Sequence, residues 1–272
     1  MLKINGMVIL TGGESYMNIG LVGSGAIGQY LLKNINGKTH EHLNIRSVFV
    51  RNYDKYKHLE ELYNVELFTD LKKFLAADTD LIVEAANVET VKTLLPDIIK
   101  EKDTMLISIG ALADEGLLKT VTAENSKTLH LPSGGIGGLD LVQNARALGN
   151  LEKVTLTTRK PASSLVDEPV SAETTVFKGR AREAIDKFPK NMNISIILSL
   201  AGLGIDKTEV VLIADPEADK NTHTINISGG FGDAELTVSN NPLPENPKTS
   251  ALAALSVYAT LERMDENVKI GC

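Results

Sequence analysis

The first half of the chain alternates short apolar runs with stretches whose apolar residues recur at helical spacing. Each short run predicts a buried β-strand, and each longer stretch predicts an amphipathic helix. Strands that alternate with helices in this way form a parallel, doubly wound sheet, so the pattern predicts an α/β fold. The predicted strands cover residues 18–22, 45–50, 65–68, 80–84, 104–108 and 127–131.

Helices are predicted between these strands at residues 55–63 and 88–100, with a shorter one after Asp70. An aspartate at a helix start accepts a hydrogen bond from a backbone N–H of the first turn, so Asp70 is expected to cap the short helix. Ligands of such a sheet bind beyond the carboxyl ends of its strands. We therefore expect binding residues in the segments that directly follow the strands.

After residue 132 the regular alternation ends. Residues 133–138 are the richest glycine stretch of the chain, and we place a hinge near residues 131–133. The sequence predicts a first domain over residues 17–132 and a second, α+β domain over residues 133–247. The elements predicted for the second domain are helices at 139–148, 180–187 and 192–202 and strands at 154–160, 174–177, 209–214, 222–228 and 234–238.

The two ends of the chain lie outside these patterns. Residues 248–264 carry a leucine or tyrosine at every third position from Leu252 to Leu261, which predicts a helix with an apolar stripe. We expect this helix to pack back on the first domain, with Asn246 as its N-terminal cap. Residues 1–16 are interpreted as a loose extension or a short extra strand, with no function assigned.

The composition of the chain argues against several classes of binding partner. The chain has 272 residues, a formal charge of −7, no tryptophan and no basic run, so nucleic acid is not an expected partner. No apolar stretch reaches the ~18 residues that span a bilayer, so no membrane association is expected. The single cysteine, Cys272, cannot form a disulfide within one chain, which suits the cytoplasm. We expect a cytoplasmic protein without a metal site, because no cluster of histidine, aspartate and glutamate has ligand spacing.

A glycine turn follows the first strand of the predicted sheet and opens a helix. In a dinucleotide-binding turn, Gly23 allows the tight bend, Gly25 lets a pyrophosphate approach the backbone, and Gly28 lets the helix pack against the sheet. The diphosphate then lies on free N–H groups at a helix N-terminus. The alternative is a structural turn without a ligand. The context predicts a Rossmann-type sheet that binds NAD or NADP through Gly23, Ser24, Gly25, Ala26, Ile27 and Gly28.

Arginine stands where NAD-binding sheets usually carry an acid. The second strand ends at Val50 and is followed by Arg51 and Asn52. An arginine can pair with a 2′-phosphate at two points, so we predict that the protein accepts NADP at least as well as NAD, with Arg51 and Asn52 as cofactor-binding residues. Two alternatives remain: Arg51 is a solvated loop charge, or Asp54 reaches the ribose of NAD.

The chain has five histidines as candidates for proton transfer near neutral pH. We interpret His40, His42 and His58 as solvated, and His130 as a packed strand residue that could lie near the cofactor. His223 stands two residues after Asn221 at the start of a predicted strand. Alternate residues of a strand face the same side, so both can line one pocket. Taken alone, His223 is better interpreted as a surface or structural histidine.

A series of further segments carries motifs in a fixed order along the chain: Glu84–Asn87, Ser108–Asp114, Leu131–Asp140, Thr158–Pro161, Phe188–Asn193, Ala214–Pro216, Asn221–His223 and Glu245–Ser250. Together with the glycine turn they resemble the L-aspartate dehydrogenases, from about Met17 to about Met264. The chain departs from that family at Asn87, where a serine is common, at Gly134, where an alanine is common, and at Arg51.

The resemblance implies oxidation of L-aspartate to iminoaspartate, which either hydrolyses to oxaloacetate and ammonia or feeds NAD biosynthesis. It implies a homodimer whose second domain holds the substrate, with His223 as general acid and base and Asn221 beside it. The candidates for binding the substrate, mainly its two carboxylates, are Ser133, Arg159, Lys160, Lys190, Asn193, Lys248 and Thr249. The cofactor is expected to pass Ala86, Asn87, Gly110, Ala111 and Gly134.

Two rival interpretations remain open. One is another reductase of aspartate-derived metabolites, of the dihydrodipicolinate reductase or homoserine dehydrogenase type. The other is a protein that senses NAD(P) without turnover, because a Rossmann fold does not by itself imply catalysis. The glycine stretch at residues 133–138 likewise has two interpretations, as a contact with the ligands or as a hinge alone.

Overall fold

A computed structural model describes residues 16–124, 126–188, 192–244, 246–268 and 270, together with two short strands before them. The helices are α1 Ala26–Ile35, α2 Tyr53–Tyr56, α3 His58–Tyr63, α4 Leu71–Leu75, α5 Val88–Glu101, α6 Glu115–Val121, α7 Leu139–Arg146, α8 Ala181–Lys187, α9 Asn193–Ala201 and α10 Ala251–Asp265. The strands are β1 Lys3–Ile4, β2 Met7–Val8, β3 Met17–Val22, β4 Leu43–Phe49, β5 Glu66–Phe68, β6 Leu81–Glu84, β7 Asp103–Leu106, β8 Leu129–His130, β9 Leu151–Pro161, β10 Thr174–Arg180, β11 Glu209–Asp215, β12 Asn221–Gly229, β13 Gly232–Asn240, β14 Pro242–Leu243 and β15 Asn246–Ser250.

The first large sheet is parallel throughout. Its six strands lie in the order β5-β4-β3-β6-β7-β8. The chain leaves β3 in one direction to build β4 and β5, and then returns to the other side of β3 to build β6, β7 and β8. This is the strand order of the Rossmann fold, with the switch of direction between β3 and β6. The predicted fold class is confirmed.

The second large sheet is mixed. Its five strands lie in the order β10-β11-β9-β12-β13, and only the pair β11 and β9 is parallel. Helices α7, α8 and α9 follow or precede its strands, and α9 carries mainly buried residues. The second half is therefore an α+β unit, as its irregular pattern predicts.

The C-terminal helix packs with the first sheet rather than the second. Val257 and Leu261 of α10 are fully buried in the apolar cluster that contains the residues of β3 and α1. The predicted cap is wrong, however. Residues 246–250 form β15, and the side chain of Ser250 accepts the hydrogen bond from the backbone N–H of Ala253. Pairing with β14 holds Asn246 in a strand, five residues before the helix begins.

Two other predicted details change. The helix expected at residues 55–63 is divided into α2 and α3, which meet at Lys57. Asp70 does cap α4, since its side chain accepts a hydrogen bond from the N–H of Lys73. In the part of the chain that the structure describes, no helix has the length and apolar character needed to cross a membrane.

Candidate active site

A cavity of about 440 Å³ lies between the two large sheets. One wall comes from the carboxyl ends of β3, β6 and β7, with Gly25, Ala86 and Ser108 among its residues. The opposite wall comes from the second sheet and carries Lys160 and His223. The cavity therefore lies at the switch of strand direction, where doubly wound sheets bind their ligands. We call it the central cavity.

The glycine turn has the backbone shape that a dinucleotide requires. Gly23 has a φ of +98°, a left-handed conformation that L side chains rarely adopt. A Cβ added at Gly28 would lie 2.5 Å from the carbonyl oxygen of Gly23, so α1 packs on the turn with no room for a side chain. A Cβ added at Gly25 would meet only the carbonyl oxygen of Ala85, at 3.9 Å, so the space beside this glycine is open. The turn thus fits a diphosphate at the start of α1.

A second cavity, of about 600 Å³, continues from the turn toward the end of β4. Its outer wall carries Arg51, Asn52, Lys55 and Tyr56. We call it the outer cavity. Lys55 and Tyr56 were not predicted; the only signal for them is that they lie one helical turn after Arg51. The side chain of Tyr56 lies beside Ser24 and Lys55, and these contacts lower its pKa, as does the nearby charge of Arg51.

The carboxylate proposed as an alternative ribose ligand does not face the outer cavity. Asp54 is 88% exposed and pairs with Lys57, with 3.5 Å between Oδ1 and Nζ. The side chain of Asn52 is engaged as well, since it accepts the hydrogen bond from the N–H of Lys55 that caps α2. Among the described residues that line the outer cavity, the charged side chains are both cationic, Arg51 and Lys55.

The wall from the second sheet is organised by the antiparallel pairing of β9 and β12. His223 lies directly opposite Thr158 in this pairing, and its Nδ1 is 3.0 Å from the Thr158 Oγ1. Lys160 follows Thr158 by two residues and Asn221 precedes His223 by two, so all four side chains lie on the same face of the sheet. Lys160, Asn221 and His223 line the central cavity. Thr158 is buried behind them.

Burial lowers the pKa values of both titratable side chains on this wall, Lys160 and His223. It lowers the pKa of Lys160 to about 8, so the ammonium is charged at neutral pH but loses its proton easily. Burial, with a smaller contribution from the charge of Lys160, lowers the pKa of His223 to about 3. The imidazole is therefore neutral at physiological pH, with one ring nitrogen carrying a hydrogen and the other free to act as an acceptor.

One buried carboxylate on the opposite side was not singled out by sequence reasoning. Glu84 ends β6 with only 3% of its surface exposed. Its Oε1 accepts hydrogen bonds from the N–H of Ala86, at 2.7 Å, and from the hydroxyl of Ser108, at 2.8 Å. Its Oε2 accepts one from the N–H of Ser108, at 2.9 Å. In the sequence, Glu84 is a charged residue at the end of an otherwise apolar strand and opens the segment Glu84–Asn87, but it was not proposed as a site residue.

The structure brings most of the predicted residues to the two cavities. The central cavity is lined by Gly25, Ala26, Ile27, Ala86, Ser133, Gly134, Lys160, Asn193, Asn221, His223 and Thr249. The outer cavity is lined by Gly23, Ser24, Gly25, Arg51, Asn52, Ala86 and Asn87. Lys190 lies outside the described residues, and the structure describes only the backbone of Lys248.

Two predicted cofactor-binding residues lie beside the cavity rather than in its lining. Ala111 is fully buried in the core. The N–H of Gly110 donates to Oδ1 of Asn193 at 2.8 Å, which fixes the start of α9 against the first sheet. A 3-10 helix over Ile109–Ala113 turns these residues inward, and Ile107, Ser108 and Ile109 line the cavity instead.

Other predictions for single charged residues also change. Arg159 does not line either cavity, because it pairs with Glu173, at 2.7 Å, and with Asp215, at 3.7 Å. His40 is not simply solvated, since it is partly buried against α10 with its ring edge-on to Tyr258. His130 is partly buried in β8 and lines neither cavity. Across the described part of the chain, no group of three or more histidine, cysteine, aspartate and glutamate side chains could hold a metal ion.

A Rossmann-type sheet whose glycine turn opens into the same cavity as a buried imidazole places the molecule among the nicotinamide-dependent dehydrogenases. Comparison with known proteins agrees with this class. Residues 23–131 match the family model described as the NAD binding domain of homoserine dehydrogenase. Residues 140–264 match the model described as the C-terminal domain of aspartate dehydrogenase.

Full-length relatives identify the family. The chain is 38% identical to an L-aspartate dehydrogenase of Methanopyrus kandleri, over 94% of this chain and 98% of the relative. It is 37% identical to one of Methanocaldococcus jannaschii, over 94% and 99% of the two chains. The crystal structure of aspartate dehydrogenase from Thermotoga maritima superposes with a TM-score of 0.76 at 27% identity, covering 94% of this chain and 99% of that one. The chain belongs to the L-aspartate dehydrogenase family.

Proposed function

We propose that this protein catalyses the NAD(P)-dependent oxidation of L-aspartate to iminoaspartate. The observation that supports this activity best is that His223 and the glycine turn line one cavity, from opposite sides. The family supports the same reaction. In this proposal, residues 17–132 with α10 form the cofactor domain, and residues 133–247 form the substrate domain.

The residues of the first sheet fit a dinucleotide. The open space at Gly25 would admit the diphosphate to the N-terminus of α1, and the outer cavity would hold the adenosine half beside Arg51. Ala86, Asn87 and Gly134 follow along the carboxyl edge of the sheet toward the central cavity. When bound, the nicotinamide accepts the hydride that leaves Cα of aspartate.

The second sheet supplies the proton acceptor. The substrate ammonium must lose a proton before hydride can leave the adjacent carbon. His223 is neutral, and in this proposal its Nδ1–H donates to the Oγ1 of Thr158, which leaves Nε2 without a hydrogen and able to take the proton. A hydrogen bond at one ring nitrogen fixes the tautomer and the orientation of the other. Once it has released that proton to solvent, the same nitrogen can take a proton from water if the imine is hydrolysed.

The dianionic substrate needs local positive charge, because the chain as a whole carries a formal charge of −7. Among the described residues that line the central cavity, Lys160 is the charged one at neutral pH. Asn193, Asn221, Thr249 and Ser133 add neutral hydrogen-bonding groups around it. We assign one carboxylate to Lys160 and the other to these neutral groups and backbone donors.

A substrate panel followed at 340 nm tests the activity. L-Aspartate is expected to support turnover, whereas homoserine and the dihydrodipicolinate substrate are not. His223→Ala is expected to lose turnover by well over tenfold while circular dichroism and cofactor binding stay unchanged. His58→Ala, an exposed histidine of α3, is the matched control and should behave as wild type. Turnover of His223→Ala within tenfold of wild type would refute the assigned role, and cofactor binding with no turnover of any amino acid would favour a sensor.

Two finer properties belong to the same proposal. The cationic outer wall supports NADP as a cofactor at least as good as NAD, through Arg51 and Lys55. Family membership supports a homodimer in the cytoplasm. Sedimentation equilibrium would measure the assembly directly, and a concentration-independent monomer mass would contradict the dimer.

A further inference from the structure

We infer that Glu84 and Lys160 give the central cavity opposite charges on its two sides, and that Glu84 makes the cavity favour the oxidised, cationic nicotinamide over the reduced, neutral one. This inference rests on the proposed function, since it concerns how the cavity treats the two forms of the cofactor. It assigns a role to an almost fully buried carboxylate that takes no part in the proton transfer proposed for His223.

Glu84 joins two cavity-lining segments. The N–H of Ala86, in the segment after β6, donates to its Oε1, and the N–H of Ser108, in the segment after β7, donates to its Oε2. Ala86 and Ser108 both line the central cavity. The carboxylate therefore lies directly behind this wall and fixes the spacing of its two segments.

The hydrogen bonds to Glu84 favour its ionised form, and we take the carboxylate as ionised. Backbone N–H groups only donate, and one of them points to each carboxylate oxygen, so both oxygens act as acceptors. Burial raises the pKa of Glu84 above its usual value, and the hydrogen bonds from Ser108, Ala86 and Ile107 offset part of this rise. A negative charge held in this way is weakly screened, because only 3% of the residue is exposed.

The two charges lie on opposite sides of the same space. Lys160 projects from β9 on the second sheet, and Glu84 lies behind the wall formed by the first. A cofactor bound along the first sheet would place its ring on the side of Glu84, and the dicarboxylate would lie on the side of Lys160. The oxidised ring carries a positive charge that the reduced ring lacks, so a fixed negative charge behind it stabilises only the oxidised form.

The test compares the Kd of NADP⁺ with that of NADPH, by calorimetry on the whole protein without substrate. In Glu84→Gln, which keeps the side-chain volume and removes the charge, the Kd of NADP⁺ is expected to rise about tenfold more than that of NADPH. Lys160→Met is expected to move the ratio of the two Kd values in the opposite direction. Asp80→Asn is the matched control, because it removes a carboxylate charge just before the other end of β6 and should leave the ratio unchanged.

The possible outcomes distinguish an effect of the Glu84 charge from a structural effect of the substitution. If Glu84→Gln weakens both forms by the same factor, Glu84 only spaces the two segments and the inference is overturned. If circular dichroism shows that Glu84→Gln does not fold, Lys160→Met decides: an unmoved ratio overturns the opposed charges, and a shift toward NADP⁺ supports them. A wild-type protein that binds neither form contradicts the proposed function itself, whereas binding of both with an unmoved ratio contradicts only this inference.

Discussion

His223 and Thr158 face each other across two antiparallel strands, with 3.0 Å between Nδ1 and Oγ1. Both side chains are almost fully buried, at 4% and 3% exposure, so no bulk water substitutes for this hydrogen bond. The hydroxyl therefore determines which nitrogen of the imidazole faces the central cavity.

Removal of that hydroxyl should impair turnover without unfolding the protein. Thr158→Val keeps the side-chain shape but leaves Nδ1 without its partner, so we expect kcat to fall about tenfold or more, with the KM for cofactor unchanged. Thr158→Ser should restore most of the activity. Thr224→Val is the control, since it removes a hydroxyl of the neighbouring strand β12, one that pairs with Thr237 on exposed surface. Equal kcat in Thr158→Val and wild type would show that the hydroxyl has no orienting role.

Binding of a dicarboxylate should weaken as the pH rises through the pKa of Lys160. Burial lowers that pKa to about 8, and the ammonium loses its charge above it. Succinate carries two carboxylates and no amine, so its inhibition constant reports the protein alone. We expect this constant to rise about tenfold per pH unit above pH ~8, and to stay flat in Lys160→Arg, because arginine keeps its charge. A flat profile in wild type would exclude Lys160 as a carboxylate ligand.

Stability should fall in acid because His223 is buried in its neutral form. Burial, with the charge of Lys160, lowers the pKa of His223 from 6.5 to about 3 in the folded protein. Between these two values the unfolded chain binds a proton that the folded chain does not, so stability decreases as the pH falls. The loss attributable to this group is about 1.4 kcal/mol per pH unit at most.

Thermal unfolding between pH 7 and pH 4.5 measures this effect. His223→Asn should show a smaller decrease of Tm over this range than wild type, since asparagine does not titrate. Parallel curves for the two proteins would mean that other groups account for the whole acid sensitivity.

Two glycines of the turn should respond differently to the same substitution. Gly25→Ala adds a methyl group where only the Ala85 carbonyl lies near, so the protein should fold and lose cofactor affinity. Gly28→Ala places the methyl group 2.5 Å from the carbonyl oxygen of Gly23, so it should lower Tm by displacing α1 from the sheet. Calorimetric titration and thermal unfolding of both variants test the contrast, which fails if Gly25→Ala binds the cofactor like wild type.

Cofactor preference should depend on the cationic wall of the outer cavity. Arg51→Asp is expected to lower kcat/KM for NADP by about a hundredfold relative to that for NAD, since it replaces an attractive charge with a repulsive one. Lys55→Ala should have a smaller effect in the same direction. Lys57→Ala serves as the control, because Lys57 pairs with Asp54 away from the cavity. An unchanged preference in Arg51→Asp would remove Arg51 from the site.

The sequence predicted those structural features that depend only on residues close together in the chain. The alternation of apolar runs predicted the parallel sheet, and the glycine spacing predicted both the tight turn at Gly23, where φ is positive, and the close packing at Gly28. Asp70 was predicted as a cap because capping needs only the residues of one turn. The prediction that Asn246 caps α10 was wrong, although it too used only neighbouring residues. Asn246 pairs with Leu243 in a strand, and this pairing competes with helix capping.

Contacts between distant segments were not predictable from these patterns. Thr158 is 65 residues from His223 in the chain, and only the register of β9 and β12 brings them together. Glu84 meets Ser108 because β6 and β7 are neighbours in the sheet, which one charged residue in an apolar run does not reveal. His40 looked solvated because α10, which partly covers it, lies more than 200 residues later.

The return of α10 to the first sheet has a practical consequence for protein engineering. A recombinant fragment ending at residue 132 would lack Val257 and Leu261. The apolar surface beside α1 that these residues cover would then be exposed. Such a fragment would self-associate in the test tube, however complete its strands. A circular permutant that fuses α10 to the N-terminus of the first domain would keep this apolar surface covered.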